Sequence, residues 1–569
     1  MKNQMVANIL YQIADLLDLK GEIFFKTRAY RMAAQTIEVL EQNIDVIAKE
    51  NRLEEIPGVG EALAKKIKEL VETGKLEYFE RLKKEIPESL LNLLKIPGLG
   101  PKKVAAIYKN LGVTSLKELQ KAATEGKLRK LKGFGELTEQ NIIRGIQLLE
   151  KTSGRALLNV AYNDGSNYIK YLEKCNDLEK VNVAGSLRRM KETIGDVDIL
   201  ASSNKPEKVM DCFVAYPEVQ QVLAKGPTKS SVLLKDNIQV DLRVVEPKSY
   251  GTALQYFTGS KEHNVTLRGL AIKKGYKLNE YGLFDKITEK FITGETEEEI
   301  YKKIGFLYIE PELRENRGEF DAAKNNLLPK LVGYNDILGD FHIHSLWSDG
   351  NDSIENIAIY AKKMGYLFVG ISDHSQSLKI ANGLSEERVD KKIKEITEFN
   401  RKLSNFTILC GTECDIKADG TLDYSNKVLK KFDYVYIGIH SGFKMDKNKM
   451  TNRIIKGMLN DNVNFLAHPT GRLIGKRDPY EVDIEKIIDT AKDANISLEI
   501  DAFPDRLDLD DTNSKLAKEK KVKFVIGTDS HNITHLPFIR FGVATARRGW
   551  LEKKDILNTY SLKEIKKML

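Results

Sequence analysis

The chain has 569 residues, a length that fits roughly three or four domains of ~150 residues. It carries 90 Lys+Arg against 82 Asp+Glu, a net charge of +8, which is mild for this length and does not by itself imply a nucleic-acid partner. With 30% charged and 41% hydrophobic residues it is not a disordered chain, and no apolar run approaches the ~20 residues of a membrane span. Four cysteines without a Cys-x-x-Cys pair make no disulfide framework and fit a reducing compartment, so a cytoplasmic location is expected. The chain is expected to act as a monomer.

At the N-terminus Val6, Ile9, Leu10, Ile13, Leu16 and Leu17 recur at helical spacing, as in the first helix of a folded domain and not a signal peptide. Residues 1–155 read as all-helical and hold 27 basic and 21 acidic residues, so +6 of the +8 lies here. Ile56-Pro57-Gly58-Val59-Gly60 precedes one helical run, and Ile96-Pro97-Gly98-Leu99-Gly100 precedes another. Leu131-Lys132-Gly133-Phe134-Gly135 is a weaker third copy. Such a turn needs glycine backbone freedom, and the amides it exposes at the next helix N-terminus favour a phosphate. A single Pro-Gly-x-Gly also serves as an ordinary turn between helices. Two spaced copies within basic helices point to helix-hairpin-helix contacts with a DNA backbone through Gly58, Gly60, Gly98 and Gly100.

From about Leu157 short β-branched runs alternate with helices, an α/β unit over 156–249. Gly185-Ser186-Leu187-Arg188-Arg189 follows one strand, and Asp196-Val197-Asp198 begins the next. Side chains at i and i+2 of a strand share a face, so Asp196 and Asp198 converge. Asp241, in the strand-like Gln239–Arg243, is a third carboxylate. Three carboxylates on neighbouring strands can hold two Mg²⁺ (or Mn²⁺) ions for in-line phosphoryl transfer, with Ser186 and Arg189 on phosphates. A smaller mixed segment covers 250–318, and the polar stretch 319–335 reads as a linker.

After Asp336 a β/α rhythm runs to the end of the chain. Seven of the eight histidines lie here. Apolar strand-like runs precede His342–His344, Asp373–His374, Glu413, His440, His468, Glu499–Asp501 and Asp529–His531. Polar residues at the C-terminal ends of seven strands are the pattern of a β/α-barrel site. Mixed imidazole and carboxylate ligands suit Mn²⁺, Zn²⁺ or Fe²⁺, and their number exceeds the needs of one tetrahedral ion. Arg472 either binds a substrate phosphate or is a salt-bridged arginine. Cys410 and Cys414 are expected to be buried as small hydrophobes, and Asp373 and His535 to lie behind the ligands or at the surface.

With Gly185–Arg189, Gly195–Asp198 and Tyr256-Phe257-Thr258-Gly259-Ser260, the sequence resembles the bacterial family X DNA polymerases, relatives of DNA polymerase beta, that carry a C-terminal polymerase-and-histidinol-phosphatase (PHP) domain. The resemblance runs over essentially the whole chain. It implies a lyase-like helical domain at 1–85, a helical duplex-binding domain at 86–155, a nucleotidyltransferase palm at 156–249, a small α+β nucleotide-selecting subdomain at 250–318, and a (β/α)7 TIM-like PHP barrel at 336–569. It implies metal binding by Asp196, Asp198 and Asp241. Ser186, Arg189 and Gly195 would contact the triphosphate. Tyr256 and Phe257 would line the sugar pocket, Gly259 would also contact the nucleotide, Asn264 the base, and Arg268 the template. Gln239 stands where many animal members have an arginine. Phe25–Arg31 matches the lyase pattern, and Lys66 falls at its Schiff-base lysine, while Ala62 replaces a neighbouring lysine. In the barrel it implies nine ligands for about three ions: His342, His344, Asp349, His374, Glu413, His440, His468, Asp529 and His531. The implied function is gap filling in DNA repair on primed or gapped duplex with dNTPs. It adds 3′–5′ exonuclease activity, and the resemblance raises abasic-site endonuclease or lyase activity as well. Two other readings stay open: an end-processing nuclease whose polymerase half positions DNA, and a non-catalytic DNA-end scaffold.

Overall fold

Val6, Leu10, Ile13 and Leu17 are all buried on one face of the helix Asn3–Lys20, as their spacing requires. In this computed structural model the chain forms two units, residues 1–153 with 475–477, and residues 154–474 with 478–569. The structure describes residues 3–569 apart from 23, 39–43, 57, 88, 95, 97, 98 and 153. In the first unit every described element is helical. Gly60 caps the helix Glu61–Thr73 and Gly100 caps Pro101–Leu111. Gly58 has φ +84°, a turn conformation natural to glycine, and Gly133 repeats it at φ +85° before the helix Glu136–Thr152. Gly98, with Pro57 and Pro97, lies outside the described residues.

The second unit begins with a five-stranded mixed sheet whose central strands are Asp196–Ser202 and Gln239–Val245. Val240, Leu242 and Val244 face the core, and Gln239, Asp241 and Arg243 the other side, the two-residue period of a half-buried strand. Next come the helices Tyr250–Thr258 and Lys261–Lys273, then a three-stranded antiparallel sheet, then the helix Glu297–Ile304. Cys175 and Cys212 are joined in a disulfide, with Cα atoms 6.5 Å apart, a pairing the sequence spacing does not signal. The helices Leu158–Leu172 and Pro206–Val214 both pack on the palm core, which brings the two sulfurs together.

Residues 319–335, expected to be a linker, are folded into their surroundings. Glu319 is fully buried against His263 Nδ1 at 2.8 Å, and Phe320 stacks on the same imidazole. Leu331 bridges Glu552, and Val332 joins the barrel core. A polar sequence conceals this because its buried groups are satisfied by partners far along the chain.

Seven parallel strands then follow in sequence order. Ile343 pairs with Ser530 in parallel, which closes the sheet into a barrel. Phe341, Phe368, Leu409, Tyr434, Tyr436, Phe465 and Val525 form one aromatic-rich cluster inside. Pairing slips register between Asp340 and Ile343, and such irregularities re-aim side chains next to active sites. Leu507, Phe541 and Ala544 of the barrel pack within the palm core, so the two share one apolar seam.

Two candidate catalytic centres

The palm centre rests on one parallel strand pair. Asp198 and Asp241 are register partners, and Asp196 is opposite Gln239. Burial, then Asp196 and Asp241, push Asp198 up to about 7. Asp241 is held below the ordinary carboxylate range, against its burial, by the Gln239 amide at 2.8 Å and the Lys229 ammonium at 3.0 Å. Among the described residues the three aspartates do not form a group of ligand atoms within 4.8 Å of one another, whereas the barrel residues do. Gly185 (φ +59°) makes room for the cluster, since a Cβ there would collide with Asp198 Oδ2. A repelling carboxylate set, with one member near neutrality, is the donor chemistry a divalent cation relieves.

Around it, Ser186 lies in the helical turn Gly185–Arg188 directly after the strand Lys180–Val183. Arg188 grips Glu297 with two bonds, 2.9 and 2.6 Å, a contact the sequence does not reveal. Arg189 is tied to Glu315 and to the Thr258 carbonyl. A Cβ at Gly259 would stand 3.1 Å from Arg189 Nη1, which sets that fork over the Tyr256–Ser260 motif. Tyr256 and Phe257 meet edge to face, and Arg243 covers the Phe257 ring at 4.7 Å. Phe257 also lines a cavity of about 620 Å³ with Arg243, Tyr281, Phe284 and Phe291. Asn264 is held at both ends of its amide by Gln255 and the Tyr256 carbonyl. Arg268 is exposed, with Nε on Asn264 O at 3.3 Å. Gly195 backs onto Arg155, whose Nη1 would stand 3.1 Å from a Cβ there.

The barrel centre is denser. All nine expected ligands converge at the C-terminal ends of the strands. Three groups have ligand atoms within 4.8 Å of one another: His344, Asp349, His374 and His531; His342, His344 and Asp529; His374, Glu413 and His440. His468 joins through Glu413, its Nε2 2.9 Å from Oε1. His440 Nε2 and His374 Nδ1 each lie 3.0 Å from the same carboxylate. Asp529 has φ +48° and His468 φ +26°, left-handed conformations that cluster at functional sites in non-glycine residues. Burial, then His374 and His531, hold His344 down at about 4, so its ring nitrogens stay free of charge. Buried His342 Nε2, both nitrogens of His344, His468 Nδ1 and Asp349 Oδ1 make no hydrogen bond, and neither does His374 Nδ1 despite lying 3.0 Å from the Glu413 carboxylate. Orphaned buried donors and acceptors at this density are costly, and metal ligation is the chemistry that satisfies them together. The residues fit a multinuclear centre.

The supporting shell was only partly visible in sequence. Glu499 holds His342 Nδ1 at 2.7 Å and accepts from the His468 amide; Asp415 holds His440 Nδ1. Asp415 follows Glu413 by two residues on one strand, a spacing that marks a shared face. Asp373 is buried behind the ligands, held by Lys392 Nζ at 2.8 Å and by Ser345 and Ser348. Arg506 reaches Asp501 at 3.1 Å and Asp529 at 3.3 Å. Cys410 and Cys414 are buried free thiols, and His535 stacks on Phe538. Arg472, the other phosphate candidate, is salt-bridged to Glu192 of the palm at 2.7 Å and caps the carbonyls of Arg506 and Leu507. In the first unit, Lys66 is half-buried beside a cavity of about 350 Å³, with its ammonium 5.2 Å from the Tyr78 ring.

Comparison with known proteins identifies the family. Residues 253–315 match the DNA polymerase beta thumb, 1–76 a helix-hairpin-helix domain, 90–147 a SAM-like helix-hairpin-helix tandem, and 340–503 the PHP domain. Over 571 aligned residues the chain is 38% identical to the DNA polymerase/3′-5′ exonuclease PolX of Bacillus subtilis, covering 100% of this chain and 99% of that protein. The chain belongs to the family X DNA polymerases with a C-terminal PHP domain. As a family X enzyme it also resembles the repair DNA polymerase X of African swine fever virus, 32% identical over 29% of this chain and 99% of the viral protein. The chain also resembles a probable phosphatase of Clostridium acetobutylicum, 28% identical over 34% of this chain and 78% of the phosphatase. Among the described residues no helix is long and apolar enough to cross a membrane.

Proposed function

We propose that this family X polymerase fills short gaps during DNA repair from the palm and trims or cleans 3′ ends in the barrel. The observation that carries the reading is the pairing, in one folded unit, of a repelling aspartate cluster on the palm sheet with the nine-residue ring of the barrel. In the palm, Asp196, Asp198 and Asp241 would hold Mg²⁺ or Mn²⁺. In the barrel, His342, His344, Asp349, His374, Glu413, His440, His468, Asp529 and His531 would hold about three ions of the Mn²⁺, Zn²⁺ or Fe²⁺ class. Such ions, when bound, supply Lewis acidity at both centres. The chain's own residues do the rest. Arg189 and Ser186 orient the triphosphate, Tyr256 and Phe257 shape the sugar pocket, and Asn264 meets the base. Glu499 and Asp415 fix the orientation of His342 and His440, as outer partners of ligating imidazoles do. Lys66, beside its cavity in the first unit, is the amine that would attack the aldehyde of an abasic sugar.

The test is a reciprocal pair of variants in the full chain. Asp198→Ala is expected to abolish extension on a one-nucleotide gap and to leave Mn²⁺-dependent 3′ digestion intact. His342→Ala with His344→Ala is expected to do the reverse. Extension that survives Asp198→Ala overturns the palm assignment, and digestion that survives the histidine pair overturns the barrel assignment. An unmutated protein that digests but never extends a primer is an end-processing nuclease; one that binds duplex and does neither is a scaffold.

A further inference from the structure

Charges are costly to bury, so a chain of them running between two domains calls for an explanation. One such chain starts at Arg189, whose side chain is 12% exposed. Its Nε donates to Glu315 Oε1 at 3.0 Å and its Nη1 to the Thr258 carbonyl. Glu315 is held in turn from the barrel. Arg548, the last residue of the barrel helix Ile539–Arg548, donates from Nη1 to Glu315 Oε1 at 3.0 Å and to the backbone carbonyl of Arg189 at 2.7 Å. Its Nη2 donates to Asp511 Oδ2 at 2.6 Å. Arg317 closes the far end, donating to Asp511 Oδ2 at 3.1 Å and to the Arg548 carbonyl at 3.0 Å. Against its burial, Arg548 and Arg189 hold the Glu315 carboxyl below its ordinary range, so the link is ionic.

The geometry has a directional consequence. A guanidinium pinned at Nε and Nη1 has lost the rotamer freedom that a free arginine gives up on binding an anion. A preorganised fork therefore binds phosphate at lower entropic cost. The fork of Arg189 is pinned directly over Gly259, beside the Tyr256–Ser260 motif. The element that pins it is a carboxylate, and the element that pins the carboxylate belongs to the barrel.

We propose that Glu315 and Arg548 are positioning residues of the polymerase centre, with the barrel helix completing the triphosphate grip of the palm. The inference rests on the reading of Arg189 as the triphosphate arginine. It makes the barrel part of nucleotide selection independently of its metal-type ring, because Arg548 touches none of the nine ring residues through these bonds.

Steady-state gap filling by the full chain tests it, with 3′ digestion as the control for an intact barrel. Arg548→Ala is expected to raise KM for the incoming dNTP about tenfold, a typical coupling for residues in one ionic network, with a smaller change in kcat and unaltered digestion. Arg548→Lys, which can still donate to Glu315, should recover part of the loss. In an Arg189→Ala background, Arg548→Ala should add nothing. If Arg548→Ala fails to fold, Glu315→Gln removes the charge at constant volume and carries the same expectation. If Arg189→Ala leaves KM unchanged, the reading of Arg189 falls and the inference with it. If Arg189→Ala raises KM while Arg548→Ala and Glu315→Gln do not, Arg189 stands and the positioning role is refuted. A further rise from Arg548→Ala in the Arg189→Ala background refutes it as well.

Discussion

A single methyl group can separate the two centres. Gly438 ends the barrel strand Tyr434–Gly438, and a Cβ there would stand 2.9 Å from Glu413 Oε1, 3.1 Å from His440 Cε1 and 3.4 Å from His468 Cε1. All three neighbours belong to the ring, and Glu413 is its hub, within 4 Å of five imidazoles. Gly438→Ala must displace Glu413 by several tenths of an ångström. Overpacking a fitted site costs about 1–3 kcal/mol. At ~1.4 kcal/mol per decade that is a roughly 5- to 150-fold loss of metal affinity if the strain falls on the ligands. The assay is a Mn²⁺ titration of 3′ digestion, with calorimetric Mn²⁺ binding beside it and gap filling as the control. Digestion should need more Mn²⁺ and recover in part at saturation, while gap filling stays unchanged. A variant that digests at the original rate with the original Mn²⁺ requirement refutes the placing of ions against Glu413.

Gly185→Ala should act on the other centre, because its Cβ would collide with Asp198 Oδ2 and the φ of +59° disfavours alanine. Gap filling is expected to fall at least about tenfold with digestion intact, and equal extension rates would argue that Asp198 can move without consequence. Lys66→Ala should lose any borohydride-trapped adduct with a 5′ abasic sugar and keep gap filling; trapping that persists assigns the chemistry to another amine. Glu297 lies between Arg188 and Arg314, which hold it at about 2 against an ordinary 4.5, despite burial that acts the other way. The folded pKa is depressed, so its contribution is full above pH 4.5 and is lost as pH falls from 4.5 towards 2. A shift of that size corresponds to about 3 kcal/mol. Acid unfolding of Glu297→Gln should start from lower stability and show a shallower slope in that window, and an unchanged slope would refute the assignment.

Much of the candidate chemistry was legible because it is local. Asp196 and Asp198 share a face by the two-residue period of a strand, and His342 and His344 do the same. A barrel gathers its strand ends at one mouth, so a list of polar residues after apolar runs already described a site. What escaped sequence reading was every contact made at a distance. Glu499 was visible as a strand-end residue, yet its grip on His342 spans 157 positions. Lys392 sits mid-helix and is the fully buried partner of Asp373. Arg472 could be weighed either way until Glu192, 280 residues away, was seen to claim it.

The stretch 319–335 shows the division most clearly. Its polar composition reads as a linker, yet Glu319 and Phe320 pack on His263, the lone early histidine, and Val332 enters the barrel core. Composition measures how much apolar surface a segment can bury, and says nothing of polar groups that find partners elsewhere. The sequence by itself determined the family and the order of helical, α/β and barrel parts, and it named the strand-end residues that the barrel brings together. Only the tertiary structure decided which charges are paired, that palm and barrel share one core, and that Arg189 is held from the barrel by Glu315 and Arg548. Periodicity and motif spacing act within a few residues along the chain, whereas a buried charge is stabilised by whatever the fold brings within about 3 Å of it.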